Sequence, residues 1–226
     1  MHHYGIRGLA LDWFKSYLNE RKQCVFLNDI SSDYLPITCG VPQGSILGPL
    51  LFIIYVNDII NCSDLLYFVI FADDTNIVYS DLNMESLIRR LNLELLKLSN
   101  WFRANRLLLN LKKTNLIHFH SRTLSLPQGR DFVQIDNHKI EEVQSIKFLG
   151  IIIDEKLSWK NHVLKITSAI SKSIGVINKV KYKLPVSALL CLYNALVLSH
   201  LNYCCLVWGW AAATTLDPIL KLQKRQ

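Results

Sequence analysis

Two adjacent carboxylates, Asp73 and Asp74, stand between two apolar runs rich in β-branched residues, at positions 66–71 and 77–79. This pattern predicts a β-hairpin with the acidic pair at its turn. Like charges held beside a buried sheet repel each other and resist loss of hydration, unless a divalent cation supplies the counter-charge. The pair is therefore either an ordinary surface turn, since aspartate is common in turns, or a site for a hard cation such as Mg²⁺.

Length, composition and charge narrow the setting of this hairpin. A chain of 226 residues can form one large domain or two small ones, and an apolar fraction of 50% predicts a folded core. The 25 Lys and Arg against 18 Asp and Glu give a formal charge of +7, which favours a polyanionic partner. Six cysteines without CxxC spacing predict reduced, mostly buried thiols in an intracellular protein, nuclear or cytoplasmic.

One segment is long and apolar enough to raise the question of a membrane span. Residues 187–213 carry no Lys, Arg, Asp or Glu, and a run of this length can cross a bilayer. Polar residues interrupt it, namely Asn194, Ser199, His200 and Asn202. These interruptions favour a helix-turn-helix in a soluble core over a lipid-facing helix.

A stiffened glycine loop precedes the acidic hairpin. Residues 40–45 read Gly-Val-Pro-Gln-Gly-Ser, in which two glycines let the backbone approach a flat ligand and the proline restricts the loop. Gly48 and Pro49 predict the start of a helix that continues to about residue 60. Because this helix is apolar nearly all round, we expect it to be buried and to hold the loop rigidly.

Hydrophobic periodicity and turn residues predict the remaining elements. Asn83 can cap one of the helices, Asn28 and Asp29 mark a turn, and residues 121–131 are the best candidate for a variable loop. The predicted helices cover residues 9–18, 48–60, 84–102, 159–181 and 186–198, and the predicted strands cover residues 23–27, 34–38, 116–119, 132–135 and 146–153.

Two sets of lysines allow a functional interpretation beside an ordinary one. Lys165, Lys172 and Lys179 repeat every seventh residue on one face of a predicted helix. This ridge is either a solvated face or a contact surface for a nucleic-acid backbone. Lys113, just before a predicted strand, could reach a phosphate, although most such lysines are only solvated.

Seven motifs, taken in order, resemble the reverse transcriptase domain of non-LTR (LINE-type, jockey-like) retrotransposons. The resemblance covers nearly the whole chain, and the ordered set is highly specific although each motif alone is weak. The motifs are Tyr4-Gly5-Ile6-Arg7-Gly8, Trp13-Phe14 with Tyr17-Leu18 and Arg21, residues 40–52, Phe71-Ala72-Asp73-Asp74, Trp101 with Asn110 and Lys113-Thr114, Phe148-Leu149-Gly150-Ile151, and Tyr203 with Val207-Trp208-Gly209.

The resemblance implies an α+β fold and a polymerase function. The fold would be an incomplete palm of antiparallel strands backed by helices, with a remnant of the fingers, over residues 1–154. A truncated helical thumb would follow over residues 155–226. The activity would be that of an RNA-directed DNA polymerase, a nucleotidyltransferase that uses two Mg²⁺ or Mn²⁺ ions. Its partners would be an RNA template, a DNA primer and deoxynucleoside triphosphates, with no membrane.

The same resemblance assigns site residues. Asp73 and Asp74 would bind metal, with Asp73 the more direct ligand, and Lys113 would lie near the triphosphate, where it could protonate the leaving pyrophosphate. The template and the incoming nucleotide would contact Pro42, Gln43, Gly44 and Ser45. A hairpin at Phe148 to Ile151 would hold the primer end through Phe148, Leu149 and Gly150. The ridge lysines Lys165, Lys172 and Lys179, inferred from their own spacing, would contact the nucleic-acid backbone.

One departure from the family affects the expected activity. The family carries a further catalytic aspartate upstream of the segment that here begins at Tyr4, and it continues beyond the segment that ends this chain. We therefore expect a domain truncated at both ends and inactive alone. The alternative is a catalytically dead, nucleic-acid-binding remnant of a retrotransposon.

Overall fold

The structure is a computed structural model that describes residues 1–42, 44–121 and 132–224. The chain divides into two compact units, residues 1–108 and 109–226. Helices and small two-stranded sheets mix in both units, as the predicted α+β class requires. The predicted palm–thumb boundary after residue 154 lies inside the second unit, and the assignment of palm and thumb stays a prediction.

The first unit begins with a helix and two short strand pairs. Asn28 and Asp29, the predicted turn, adopt positive φ angles of 47° and 63°, as the central residues of a tight hairpin turn do. The predicted strand 23–27 is divided in two, because its ends pair with different partners. The elements are α1 (Gly8–Leu18), β1 (Lys22–Gln23) paired with β4 (Leu35–Pro36), and β2 (Phe26–Leu27) paired with β3 (Ile30–Ser31).

Helix α2 (Leu47–Val56) continues as a 3₁₀ segment, Asn57–Cys62. The prediction that this helix is buried all round is wrong for the described residues. Leu51 and Val56 are buried, whereas Leu50 and Ile53 are 50% and 55% exposed. An all-apolar sequence does not specify how many faces are covered, and here one stripe packs within the unit.

The predicted acidic hairpin is confirmed as a secondary structure. Strand β5 (Tyr67–Phe71) pairs antiparallel with β6 (Asp74–Val78), with Tyr67 opposite Val78 and Phe71 opposite Asp74. The middle of each strand is half-buried and the turn is exposed. The hairpin therefore presents its acidic end to solvent.

Helix α3 (Met84–Ala104) follows the hairpin and is capped as predicted. The Asn83 side-chain oxygen accepts hydrogen bonds from the backbone N–H of Glu85 at 2.9 Å and of Ser86 at 3.2 Å. These bonds satisfy N–H groups that have no partner inside the helix. The hydrophobic periodicity that predicted this helix corresponds to one buried face, on which Ile88, Leu91, Leu95 and Leu98 lie.

The second unit begins with three short strand pairs. The prediction of one strand over residues 146–153 is wrong, because the chain turns at Leu149 and Gly150, whose φ angles are 44° and 88°. The hairpin that the family resemblance implies at Phe148 to Ile151 is present. The predicted loop at 121–131 lies, except for Ser121, outside the described residues. The pairs are β7 (Asn115–Leu116) parallel to β10 (Glu141–Glu142), β8 (Gln134–Ile135) antiparallel to β9 (His138–Lys139), and β11 (Ser145–Phe148) antiparallel to β12 (Ile151–Asp154).

Helices complete the second unit around one apolar core. A π-helical segment, Asn194–Leu198, joins α5 to α6. The helices are α4 (Lys160–Val180), α5 (Val186–Tyr193), α6 (Ser199–Asn202), α7 (Cys205–Trp208) and α8 (Ala213–Gln223). Their buried core consists of Val163, Ile166, Ile170, Val197, Leu201, Trp208 and Ile219.

Two further expectations concern the cysteines and the membrane. All six cysteines are free thiols. The expectation that most are buried is wrong, because Cys39, Cys191 and Cys205 are exposed and the others are half-buried.

Within the described part of the chain, every helix is too short or too polar to span a bilayer.

The cap of α3 gives a stability prediction. Asn83→Ala removes both capping hydrogen bonds, so the free energy of unfolding should fall by about 1 kcal/mol. Urea denaturation followed by circular dichroism measures this loss. Asn178→Ala, at an exposed position inside α4, is the matched control and should not destabilise the chain, because alanine is the better helix former. Equal effects of the two changes would contradict a capping role.

Candidate active site

The acidic pair lies at a two-residue turn. Ala72 adopts a left-handed conformation with φ of 51°, which lets the chain reverse between Phe71 and Asp74. Asp73 occupies the turn and Asp74 is the first residue of β6, and both are exposed. The two carboxylates are therefore adjacent in the chain and hydrated. The sequence suggested that burial would make a divalent counter-ion necessary, but the pair is not buried.

Whether this pair suits a metal ion depends on its chemistry. Hard oxygen donors suit Mg²⁺, which is commonly held by one or two carboxylates together with water and substrate phosphates. Asp73 and Asp74 provide two such carboxylates on an open turn. Among the described residues, no group of three or more His, Cys, Asp or Glu side chains comes together. The pair could therefore supply the protein ligands of a Mg²⁺ site whose remaining ligands come from water and a phosphate group.

The glycine loop is closed by a serine. Ser45 donates its hydroxyl to the Pro42 carbonyl at 2.8 Å and accepts the Gly48 N–H at 3.0 Å. A Cβ on Gly48 would lie 3.0 Å from the Ser45 Oγ, so glycine allows this close approach. Ser45 thus ties the loop to the start of α2, while Gly44 is exposed with φ of 80°.

The other end of the glycine loop is held by an arginine. The Arg21 guanidinium donates to the Gly40 carbonyl and to the Leu18 carbonyl. Arg21 belongs to the sequence motif that also contains Trp13 and Tyr17, and the structure gives this motif a role in fixing the loop. Gln43, the remaining predicted template-binding residue, lies outside the described residues.

Lys113 belongs to the second unit, whereas Asp73 and Asp74 belong to the first. It lies in a turn before β7, where its N–H donates to the Asn110 carbonyl at 3.0 Å and its carbonyl accepts from the Asn115 side chain at 3.1 Å. The Lys113 side chain is exposed. Its predicted contact with a triphosphate stays a prediction.

Of the predicted primer-holding residues, Phe148 ends β11, and Leu149 and Gly150 form the turn to β12. The Leu149 carbonyl accepts the Tyr203 hydroxyl at 2.6 Å, and the Gly150 carbonyl lies 3.5 Å from the Lys165 ammonium. The Ile152 N–H donates to Nδ1 of His162 at 3.3 Å. The structure therefore brings one residue of the lysine ridge, Lys165, to the predicted primer-holding turn.

His162 is a residue whose role the sequence reasoning missed. It is 3% exposed, and burial together with the charge of Lys165 lowers its pKa. The neutral imidazole can accept the Ile152 N–H, whereas the doubly protonated ring could not. Its position three residues after Trp159, on the apolar stripe of α4, was the available signal.

Asp154 fixes the connection from this hairpin to α4. Its carboxylate accepts hydrogen bonds from the backbone N–H of Lys156, Ser158 and Trp159 at 2.9–3.1 Å, and from the Ser158 hydroxyl at 3.1 Å. Partial burial favours the neutral acid, but these hydrogen bonds outweigh it, so the pKa of Asp154 lies below its usual value. The sequence reasoning missed this residue too.

The lysine ridge is exposed along α4. Lys165, Lys172 and Lys179 are all solvent-accessible, and a spacing of seven residues keeps them on one face. The sequence from residue 156 to residue 216 contains no Asp or Glu. It contains seven lysines, at positions 156, 160, 165, 172, 179, 181 and 183. This part of the second unit therefore has a surface of one charge sign, which attracts polyanions.

The family model of reverse transcriptase (RNA-dependent DNA polymerase) matches residues 1–153. The chain belongs to this reverse transcriptase family, as its sequence motifs predicted.

Named relatives agree with the family. The chain is 26% identical over 219 residues to the probable RNA-directed DNA polymerase from transposon X-element of Drosophila melanogaster. It is 28% identical over 222 residues to the RNA-directed DNA polymerase from mobile element jockey of the same species. Each match covers 93% of this chain and 24% of the relative, so the chain spans about a quarter of their length. No solved structure matches.

The Asp154 contacts predict a pH dependence. A folded-state pKa below the unfolded value contributes stability at neutral pH, and this contribution is lost as pH falls through the folded pKa. Asp154→Asn should therefore lower the urea midpoint at pH 7, and the difference from wild type should shrink below about pH 4. Asp33→Asn, at an exposed carboxylate in the first unit, is the control. A difference that stayed constant down to pH 2 would rule out the ionised carboxylate as the cause.

Proposed function

We propose that this chain is part of the polymerase domain of an RNA-directed DNA polymerase, with Asp73 and Asp74 as its metal-binding carboxylates. The observation that carries this proposal is the exposed acidic turn of the β5–β6 hairpin, in a chain whose residues 1–153 match the reverse transcriptase family. The relatives are RNA-directed DNA polymerases by name. The proposed substrates are an RNA template, a DNA primer and deoxynucleoside triphosphates.

The chain's own residues would act mainly by holding and orienting the substrates. Asp73 and Asp74 would hold two divalent ions, Mg²⁺ or Mn²⁺, together with phosphate oxygens of the nucleotide. When bound, such ions activate the primer 3′-hydroxyl and stabilise the leaving group. The Pro42 to Ser45 loop, kept in place by Arg21 and Ser45, would lie against the template and the nucleotide. Lys113 Nζ would protonate the leaving pyrophosphate oxygen.

The second unit would hold the nucleic acid. Residues 148–150 would hold the primer end, and Lys165, Lys172 and Lys179 would contact backbone phosphates, supported by the absence of Asp and Glu between positions 156 and 216. In this proposal residues 1–154 form the palm and residues 155–226 the thumb.

Metal binding at the hairpin can be tested without catalysis. Added Mn²⁺ should broaden the amide NMR signals of residues 71–76 before those of the rest of the chain, because a bound paramagnetic ion relaxes nearby nuclei. Asp73→Asn should remove this selectivity. Asp12→Asn, which changes an exposed carboxylate on α1, should leave it unchanged. Uniform broadening in wild type would contradict a metal site at the hairpin.

Primer extension separates the polymerase from the non-catalytic alternative. Extension of a DNA primer on an RNA template with Mg²⁺, abolished by Asp73→Asn, would establish catalysis by residues 1–226. Binding of the same hybrid without extension would favour the nucleic-acid-binding remnant. Failure to bind the hybrid would exclude both.

The lysine ridge predicts the salt dependence of hybrid binding. Each phosphate contact contributes about one unit to the slope of log affinity against log salt. Changing Lys165, Lys172 and Lys179 to Ala should therefore flatten the slope by about three units. The effect should be nearly the same for hybrids of different nucleotide sequence. A control with the same change in charge replaces three exposed lysines on other elements, Lys15, Lys22 and Lys221. Equal slopes for the two triple variants would identify the ridge as a solvated face.

A further inference from the structure

The C-terminal motif that runs from Tyr203 to Gly209 has no role in the proposed function so far. In the structure it consists of a bend at Tyr203 and Cys204, helix α7 and Gly209, and it folds back on itself. The Trp208 indole N–H donates to the Tyr203 carbonyl at 2.9 Å, across a left-handed Cys204. A Cβ on Gly209 would collide with the Cys205 carbonyl oxygen, so only glycine fits there. The motif thus forms a compact turn with Tyr203 at one end and Trp208 at the other.

One end of this turn contacts the β11–β12 hairpin directly, and the other end contacts it through His162 on α4. At one end, the Tyr203 hydroxyl donates to the Leu149 carbonyl at 2.6 Å. The Tyr203 ring also lies against Gly150, where an added Cβ would be 3.2 Å from the ring. At the other end, Trp208 packs edge-to-face on His162 at 5.7 Å between centroids, and His162 accepts the Ile152 N–H. We call Tyr203, Trp208 and His162 the clasp.

Two residues of the clasp are buried and the third, Tyr203, is exposed. Trp208 and His162 are 5% and 3% exposed and belong to or border the core of the unit, so their positions are fixed by packing. Tyr203 is half exposed, and its hydroxyl ends on the hairpin turn. A two-stranded hairpin is at best marginally stable alone. The position of the Leu149-Gly150 turn therefore depends on the contacts that Tyr203 and His162 make with the hairpin.

We propose that Tyr203, held by Trp208, is a positioning residue that sets the place of the Leu149-Gly150 turn and, through it, of the primer 3′-end. This inference rests on the proposed function, in which residues 148–150 hold the primer end. Tyr203 does not touch the reacting atoms in this proposal. It acts through the backbone of the turn.

The test compares Tyr203→Phe with wild type on two RNA–DNA hybrids of equal length. One hybrid has a recessed DNA 3′-end and the other a recessed DNA 5′-end. Wild type should bind the recessed 3′-end more tightly, and Tyr203→Phe should reduce this preference by roughly two- to tenfold, the effect of one lost neutral hydrogen bond. Amide hydrogen exchange at residues 149–152 should become faster in the variant. Tyr182→Phe is the matched control, because Tyr182 lies two residues after α4 and is 89% exposed, and it should keep the preference.

Each outcome decides the inference. Loss of the 3′-end preference in Tyr203→Phe alone, with an unchanged melting temperature, supports it. An unchanged preference in Tyr203→Phe overturns it and leaves the proposed function standing. Equal weakening on both hybrids with a lower melting temperature also overturns it, since Tyr203 would then be merely structural. Wild type that binds neither hybrid, or both equally, overturns the primer-holding role itself.

Discussion

Burial of one apolar face of α4 organises the second unit. Val163, Ile166 and Ile170 form the stripe that packs with Val197, Leu201 and Trp208. A helix that buries one stripe must expose the opposite side to water, and here that side carries the lysines. The same packing brings the segment after α6 beside the β11–β12 hairpin. The basic surface and the clasp are thus two consequences of one buried stripe.

The first unit presents its carboxylates differently. The strands of the β5–β6 hairpin are half-buried in the middle, while its acidic turn is exposed. Hydrated carboxylates repel each other weakly, because water screens them. The pair therefore needs no metal in order to fold, and a ligand can reach it without first displacing protein groups. A metal site at this turn is supported by the carboxylate oxygens of Asp73 and Asp74 and by the family match, not by burial.

The sequence predicted elements that depend on local patterns and missed those that depend on distant contacts. The cap at Asn83 and the apolar stripes of α3 and α4 follow from spacing alone, and so does the acidic hairpin. Periodicity missed the division of residues 146–153, because a leucine at φ of 44° gives no local signal and Gly150 alone was insufficient. Only the family resemblance indicated a hairpin there. Among the candidate site residues, the contacts of Tyr203 and His162 join positions 54 and 10 residues apart, which periodicity cannot reveal. The exposure of α2 could not be read from composition, because burial depends on what the rest of the chain covers.

Lys165 links the two proposed nucleic-acid contacts of the second unit. Its ammonium lies 3.5 Å from the Gly150 carbonyl, at the turn proposed to hold the primer end, and it is also the first lysine of the ridge. A helix rises about 1.5 Å per residue, so seven residues separate successive ridge lysines by roughly 10 Å. The ridge therefore extends for about 20 Å along α4 from the hairpin turn, and no Asp or Glu between positions 156 and 216 reverses the sign of its charge. A nucleic-acid backbone held at the turn would meet positive charge along that whole length.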